Sequence, residues 1–101
     1  MIYEQRTYTL KMGTAPEYLK RWETDCLPII GKYARLAGCW QTESGRLNAI
    51  VFLWAYDSFG HREQQREKLK ADAEWKKASA WVKDYIVTQD NIFLSPAPFS
   101  P

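Results

Sequence analysis

The stretch Asn48–Arg62, N-A-I-V-F-L-W-A-Y-D-S-F-G-H-R, decides the reading of this chain. It alternates as a strand and passes at once into a helix start. With a period of two, Ile50, Phe52, Trp54 and Tyr56 share one face, and Ala49, Val51, Leu53 and Ala55 share the other. Both faces are apolar, so cover is expected on both. The small aliphatic face is the one that suits packing under helices. The aromatic face then needs a cover that a chain of 101 residues does not obviously supply.

Outward from this strand the chain reads as alternating elements. Ile2–Leu10 is β-branched and aromatic and reads as a strand, with Glu4, Arg6, Tyr8 and Leu10 on one face. Thr14-Ala-Pro-Glu17 reads as a capping box with Pro16 in the first turn. The helix it opens carries Leu19, Trp22, Cys26, Ile29 or Ile30, and Tyr33 at three-to-four spacing. Pro28 lies inside it, and its missing N–H predicts a kink near Thr24–Leu27. Gly38 suits the helix stop, and Cys39–Ser44 reads as a short second strand. The hairpin turns at Gly45-Arg46-Leu47.

After the opening strand, Asp57 or Ser58 caps a polar helix from Phe59 to Lys70, in which Glu63–Arg66 and Glu67–Lys70 are spaced to pair. Asp72 caps again, Ala73–Asp84 continues helical, and Tyr85–Leu94 is the last strand. Ser95–Pro101 is an extended, proline-punctuated tail, and its Phe99 suggests that it lies on a surface.

The order is β-α-β-β-α-β in one domain, residues 1–101. Short connections and right-handed crossovers make this an α+β, ferredoxin-like layout: a four-stranded antiparallel sheet with both helices on one face. On that layout the aromatics of Asn48–Arg62 line the uncovered face, and a second copy of the chain closes over them into a barrel.

Composition narrows the function classes. The chain is 46% apolar and 26% charged, so disorder is excluded. Net charge is only +2, with 14 basic and 12 acidic residues well mixed, which gives no footprint for nucleic acid or an anionic membrane. No apolar run approaches the ~20 residues of a membrane span. Cys26, Cys39 and the lone His61 have no metal-ligand spacing, so neither metal nor cofactor is expected. Residues 1–10 read as a strand rather than as a signal peptide or presequence, and the expectation is a cytoplasmic protein with reduced thiols. Aromatics reach 15%, a level that suits a pocket or an interface as well as a compact core.

Several motifs together resemble the NIPSNAP family. They are Tyr3-Glu4 with Arg6-Thr7-Tyr8-Thr9-Leu10, Leu27-Pro28-Ile29, Leu53-Trp54-Ala55-Tyr56-Asp57-Ser58 with Arg62 and Arg66, Trp75, and the ending Pro96-Ala97-Pro98-Phe99-Ser100-Pro101. The resemblance spans nearly the whole chain. It implies a homodimeric α/β-barrel, related in fold to small monooxygenases and stress-responsive barrel proteins, and no particular reaction. Some animal relatives are mitochondrial, which the strand-like residues 1–10 argue against here. Two positions depart from the family pattern: Phe52 stands where a histidine often precedes the Leu-Trp, and Gln5 where an aliphatic is expected. A general acid or base at position 52 is thereby removed.

The pocket candidates are Glu4, Arg6, Tyr8, Phe52, Trp54, Tyr56, Arg62 and Arg66. A Glu4–Arg6 pair could orient a polar ligand while the aromatics take its apolar body. The alternative is that Glu4 and Arg6 pair with each other or with the partner chain and only fix barrel register. Arg62 and Arg66, one turn apart, could hold a carboxylate or phosphate, or simply form a solvated helix face. His61 reads as a surface residue, with a proton shuttle as the alternative. Two functions remain open: a small-molecule site, as binder or as a cofactor-independent oxygenase or isomerase, and a non-catalytic interaction protein with a filled barrel.

Overall fold

The computed structural model describes all residues from Met1 to Pro101. Strand β1 (Ile2–Leu10) leads into α1 (Ala15–Arg21), a π-helical turn (Trp22–Cys26) and α2 (Leu27–Ile30). Strands β2 (Arg35–Gln41) and β3 (Ala49–Tyr56) form the central hairpin. Helices α3 (Phe59–Ala71) and α4 (Ala73–Ala78), a 3-10 turn (Val82–Asp84) and β4 (Ile86–Leu94) complete the chain. The sheet is antiparallel in the order β2-β3-β1-β4, with the helices on one face, as the element order predicts.

Pro28 disturbs its helix where its chemistry requires. It has no N–H to offer the Thr24 carbonyl, so the ladder widens just before it. The Leu27 N–H reaches back five residues to the Trp22 carbonyl, and the wide turn buries both Trp22 and Cys26. The capping box at Thr14 does not form. Thr14 has helical backbone angles, and its hydroxyl donates to the Lys11 carbonyl at 2.6 Å, completing the preceding turn. Ser58 does cap α3, accepting the His61 N–H at 3.0 Å. Asp72 caps α4 through the Glu74 and Trp75 N–H groups and also accepts the Tyr33 hydroxyl at 2.6 Å, which ties α4 to the loop after α2.

Three boundaries differ from expectation. The first helical layer ends at Ile30, and Gly38 lies inside β2 rather than stopping a helix. The pairing with β3 shifts register between Leu36 and Gly38, and the Trp40 indole lies across Gly38 where any Cβ would collide with it. Helix α4 stops at Ala78, followed by turns rather than a helix to Asp84. The tail does not pack: Phe99 is 90% exposed. The expected Glu63–Arg66 and Glu67–Lys70 pairs are absent, Glu63 pairing with Arg62 instead.

The largest difference is which face of the sheet the helices cover. Ile50, Phe52, Trp54 and Tyr56 are buried beneath the helices, in one core with Tyr18, Trp22, Cys26, Ile30 and Leu69. Ala49, Val51, Leu53 and Ala55 face the opposite side. The physical reason is volume. The helices present large rings, and a close-packed layer between helix and sheet needs large partners from the sheet as well. Trp22 meets Phe52 at 4.6 Å and Trp54 at 6.0 Å between ring centroids, and Phe52 stacks on Trp54 with planes 8° apart. Each such pair contributes roughly 0.5–1.5 kcal/mol beyond area burial. Small residues there would leave voids.

Candidate functional site

The candidate residues of β1 and β3 are brought together by register. Glu4 lies opposite Trp54, Arg6 opposite Phe52 and Tyr8 opposite Ile50, so all share one face. That face is the helix-covered one, not the uncovered one. A cavity of about 520 Å³ opens between sheet and helices within a single chain. Six of the eight candidates line it: Arg6, Tyr8, Phe52, Trp54, Tyr56 and Arg66. Glu4 and Arg62 do not; they stand behind it, locked to each other.

Glu4 is the only fully buried charged residue, with no accessible surface. Arg62, reaching down from α3, grips its carboxylate in bidentate fashion through Nε at 3.1 Å and Nη2 at 3.0 Å. Arg6 donates at 2.9 Å, and the Asn91 amide of β4 at 2.8 Å. Burial pushes the Glu4 pKa up, but the bonds from Arg62 and Asn91 and the charge and hydrogen bond of Arg6 outweigh it, and the net shift is downward. Glu4 is therefore an anion at neutral pH, and it positions two guanidinium groups. Asn91 was not legible as part of this site: only the pairing of Arg6 with Asn91 across β1 and β4 aims its side chain here.

Arg6 donates through Nε to the Tyr8 hydroxyl at 2.7 Å. Because that oxygen accepts, its own proton is free to be donated elsewhere. Tyr18 is also in the cavity wall and fully buried; its hydroxyl makes no well-formed hydrogen bond, and the Trp22 side chain is the one group near enough to oppose the rise in its pKa. Burial first, and then the neighbouring Tyr8, push its pKa far above the ordinary phenol value, so it remains a neutral donor. The Trp81 indole N–H is likewise buried without a partner but does not line the cavity. Tyr18, Trp22 and Trp75 come from the helical layers, and sequence reasoning placed none of them at the site. Helical spacing marks them as core and cannot distinguish a packed ring from a cavity wall.

The two arginines of α3 have separate roles. Arg62 is committed to Glu4 and Glu63, whereas Arg66 makes none of the chain's ion pairs and is half-buried in the cavity wall. His61 lies outside the cavity, with its ring against Tyr56 at 6.2 Å and its Nδ1 accepting the Asp57 N–H at 3.3 Å. Cys26 is a buried core residue, and burial pushes its thiol up to about 12.

The element order and sheet order define a ferredoxin-like α+β fold. A putative antibiotic biosynthesis monooxygenase from Nitrosomonas europaea superposes with a TM-score of 0.69 over 95% of this chain and 98% of its own, at 11% identity, a likeness of fold alone. Residues 3–101 match the NIPSNAP family, and the chain belongs to it. An uncharacterized NIPSNAP domain protein from Burkholderia xenovorans is 46% identical with a TM-score of 0.97, covering 100% of this chain and 99% of that one. Human NipSnap homolog 3A is 35% identical over 77 residues, which is 75% of this chain and 31% of the human protein. The chain thus spans about a third of the length of the curated relatives it matches. No helix is long and apolar enough to cross a membrane.

Proposed function

We propose that this chain binds a small molecule with a flat apolar body and a hydrogen-bond-accepting oxygen, in the cavity between sheet and helices. The observation that carries this reading is the orphaned Tyr18 hydroxyl, fully buried in the wall of a cavity of about 520 Å³. An unpaired buried hydroxyl costs about 1–3 kcal/mol, and native proteins retain few of them. A ligand oxygen that accepts the free proton of Tyr8, and that of Tyr18 once its ring turns toward the cavity, removes that cost. Aromatic walls from Trp22, Phe52, Trp54 and Trp75 suit a planar body. The same cavity weighs against a completely filled core.

The test uses Tyr18→Phe and 2-acetylnaphthalene, with intrinsic tryptophan fluorescence as readout. The unmodified chain binds the ketone, and the variant binds it several-fold more weakly. The free variant is also more stable by about 1 kcal/mol, because it loses an unsatisfied group. A variant that is less stable and binds equally well would refute the reading.

A second copy of the chain is the proposed cover for the opposite face. That face shows Trp40, Ile92 and Leu94, at 55%, 50% and 39% exposure, around half-buried Tyr3, Val51 and Leu53. Patches of this kind are seldom left to water, and a closed two-fold dimer is the commonest solution. Light scattering at micromolar concentration should give twice the chain mass, and Leu53→Lys should give one chain mass with the fold intact. A monomeric unmodified chain ends this part of the reading.

A further inference from the structure

The charged groups lining the cavity are all of one sign. Arg6, Arg66, Lys70 and Lys83 contribute to its wall, and no aspartate or glutamate does. This is not a consequence of composition, because the chain as a whole carries 14 basic and 12 acidic residues. Of the four cations, only Arg6 is compensated, through Glu4. Arg66, Lys70 and Lys83 enter none of the ion pairs. They are also graded in depth: Arg66 is half-buried, and Lys70 and Lys83 are exposed. Arg66 and Lys70 are one helical turn apart on α3, and Lys83 approaches from the 3-10 turn.

Three uncompensated cations from two elements, converging on one partly apolar cavity, repel one another when it is empty. Such an arrangement persists at little cost where an anion is a regular occupant. We infer that the ligand of this cavity is an amphipathic anion, an aromatic or conjugated carboxylate, whose charged end is held by Arg66 with Lys70 and Lys83 while its apolar body lies among Trp22, Phe52, Trp54 and Trp75. This rests on the small-molecule reading above and specifies its ligand class. Arg62 takes no part. Its guanidinium is already engaged by Glu4 and Glu63, so the specificity lies in Arg66 rather than in the Arg62–Arg66 pair.

The test compares 2-naphthoate with 2-naphthamide, which share a body and differ in charge. Binding is followed by tryptophan fluorescence and calorimetry. A charge-assisted contact exceeds a neutral one by enough for naphthoate to bind roughly tenfold more tightly. Its affinity falls as salt is raised from low to physiological levels, and that of the amide does not. In the double variant Arg66→Gln, Lys70→Gln the preference disappears. The salt comparison needs no variant, so the inference stays testable if the double variant fails to fold. Equal binding of the two probes, or a preference that survives in a folded double variant, overturns the anion assignment and leaves the cavity reading standing. Failure of both probes to bind overturns the cavity reading, and the anion assignment with it.

Discussion

The two faces of β3 carry nearly opposite chemistry. Toward the helices it presents Ile50, Phe52, Trp54 and Tyr56, all buried at 4% exposure or less. Away from them it presents Ala49, Val51, Leu53 and Ala55, with Val51 and Leu53 only half-buried. The aromatic face contains the dense ring packing and also a cavity of about 520 Å³. Rigid rings explain both: they fill volume in large, inflexible pieces, so a layer built from them is well held and still leaves shaped space. The small face offers a smooth surface suited to meeting another sheet.

The widest separation between the faces should appear on truncation. Phe52→Ala removes a ring wedged between Trp22 and Trp54 and should cost about 3–5 kcal/mol in urea unfolding. Leu53→Ala, one residue on, removes a half-exposed side chain and should cost about 1 kcal/mol when measured on the single chain. Similar values for the two would mean that the second face is as well covered in solution as the first.

Next in size is the charge buried on the aromatic side. Glu4→Gln leaves Arg6 and Arg62 without their shared anion and should destabilise by about 3 kcal/mol at neutral pH. The folded pKa of Glu4 lies below its ordinary value near 4.5. The unfolded chain therefore binds the proton first, so this stabilisation is complete above that ordinary value and is lost as pH falls through the folded one. An unfolding series on the acid side should show a stability loss in the unmodified chain that is missing from Glu4→Gln. Parallel acid profiles would remove Glu4 from this role.

The smallest effect is chemical. Cys26 lies beneath the helices with its thiol pushed up to about 12 by burial, while Cys39 is exposed near the sheet edge and only partly desolvated. A thiol reagent at pH 8 should modify Cys39 slowly and Cys26 only on unfolding. Equal rates would show that the helical layer opens far more readily than its packing implies.

Much of this was legible in the residues. Ile2–Leu10 and the run after Asn48 announce themselves as strands by alternation, and Pro28 announces a disturbed helix. The grouping of Glu4, Arg6 and Tyr8 with Phe52, Trp54 and Tyr56 follows from strand periodicity. Membership of the family was likewise visible in motifs spread along the chain. Gly38 misled, because a glycine that ends a helix and one that lies beneath a neighbouring indole look identical in sequence. Arg62 and Arg66 misled as a pair, because spacing on a helix does not say which of two arginines a carboxylate 58 residues earlier will take.

The sequence by itself determined the order of elements, their antiparallel pairing and which side chains share a face, since all of these follow from local periodicity and short connections. Only the tertiary structure decided which face the helices cover. Alternation is symmetric between the two sides of a strand. The symmetry is broken by contacts that join residues far apart: Trp22 against Phe52, and Arg62 on Glu4. Those contacts moved the cavity from between two chains to within one.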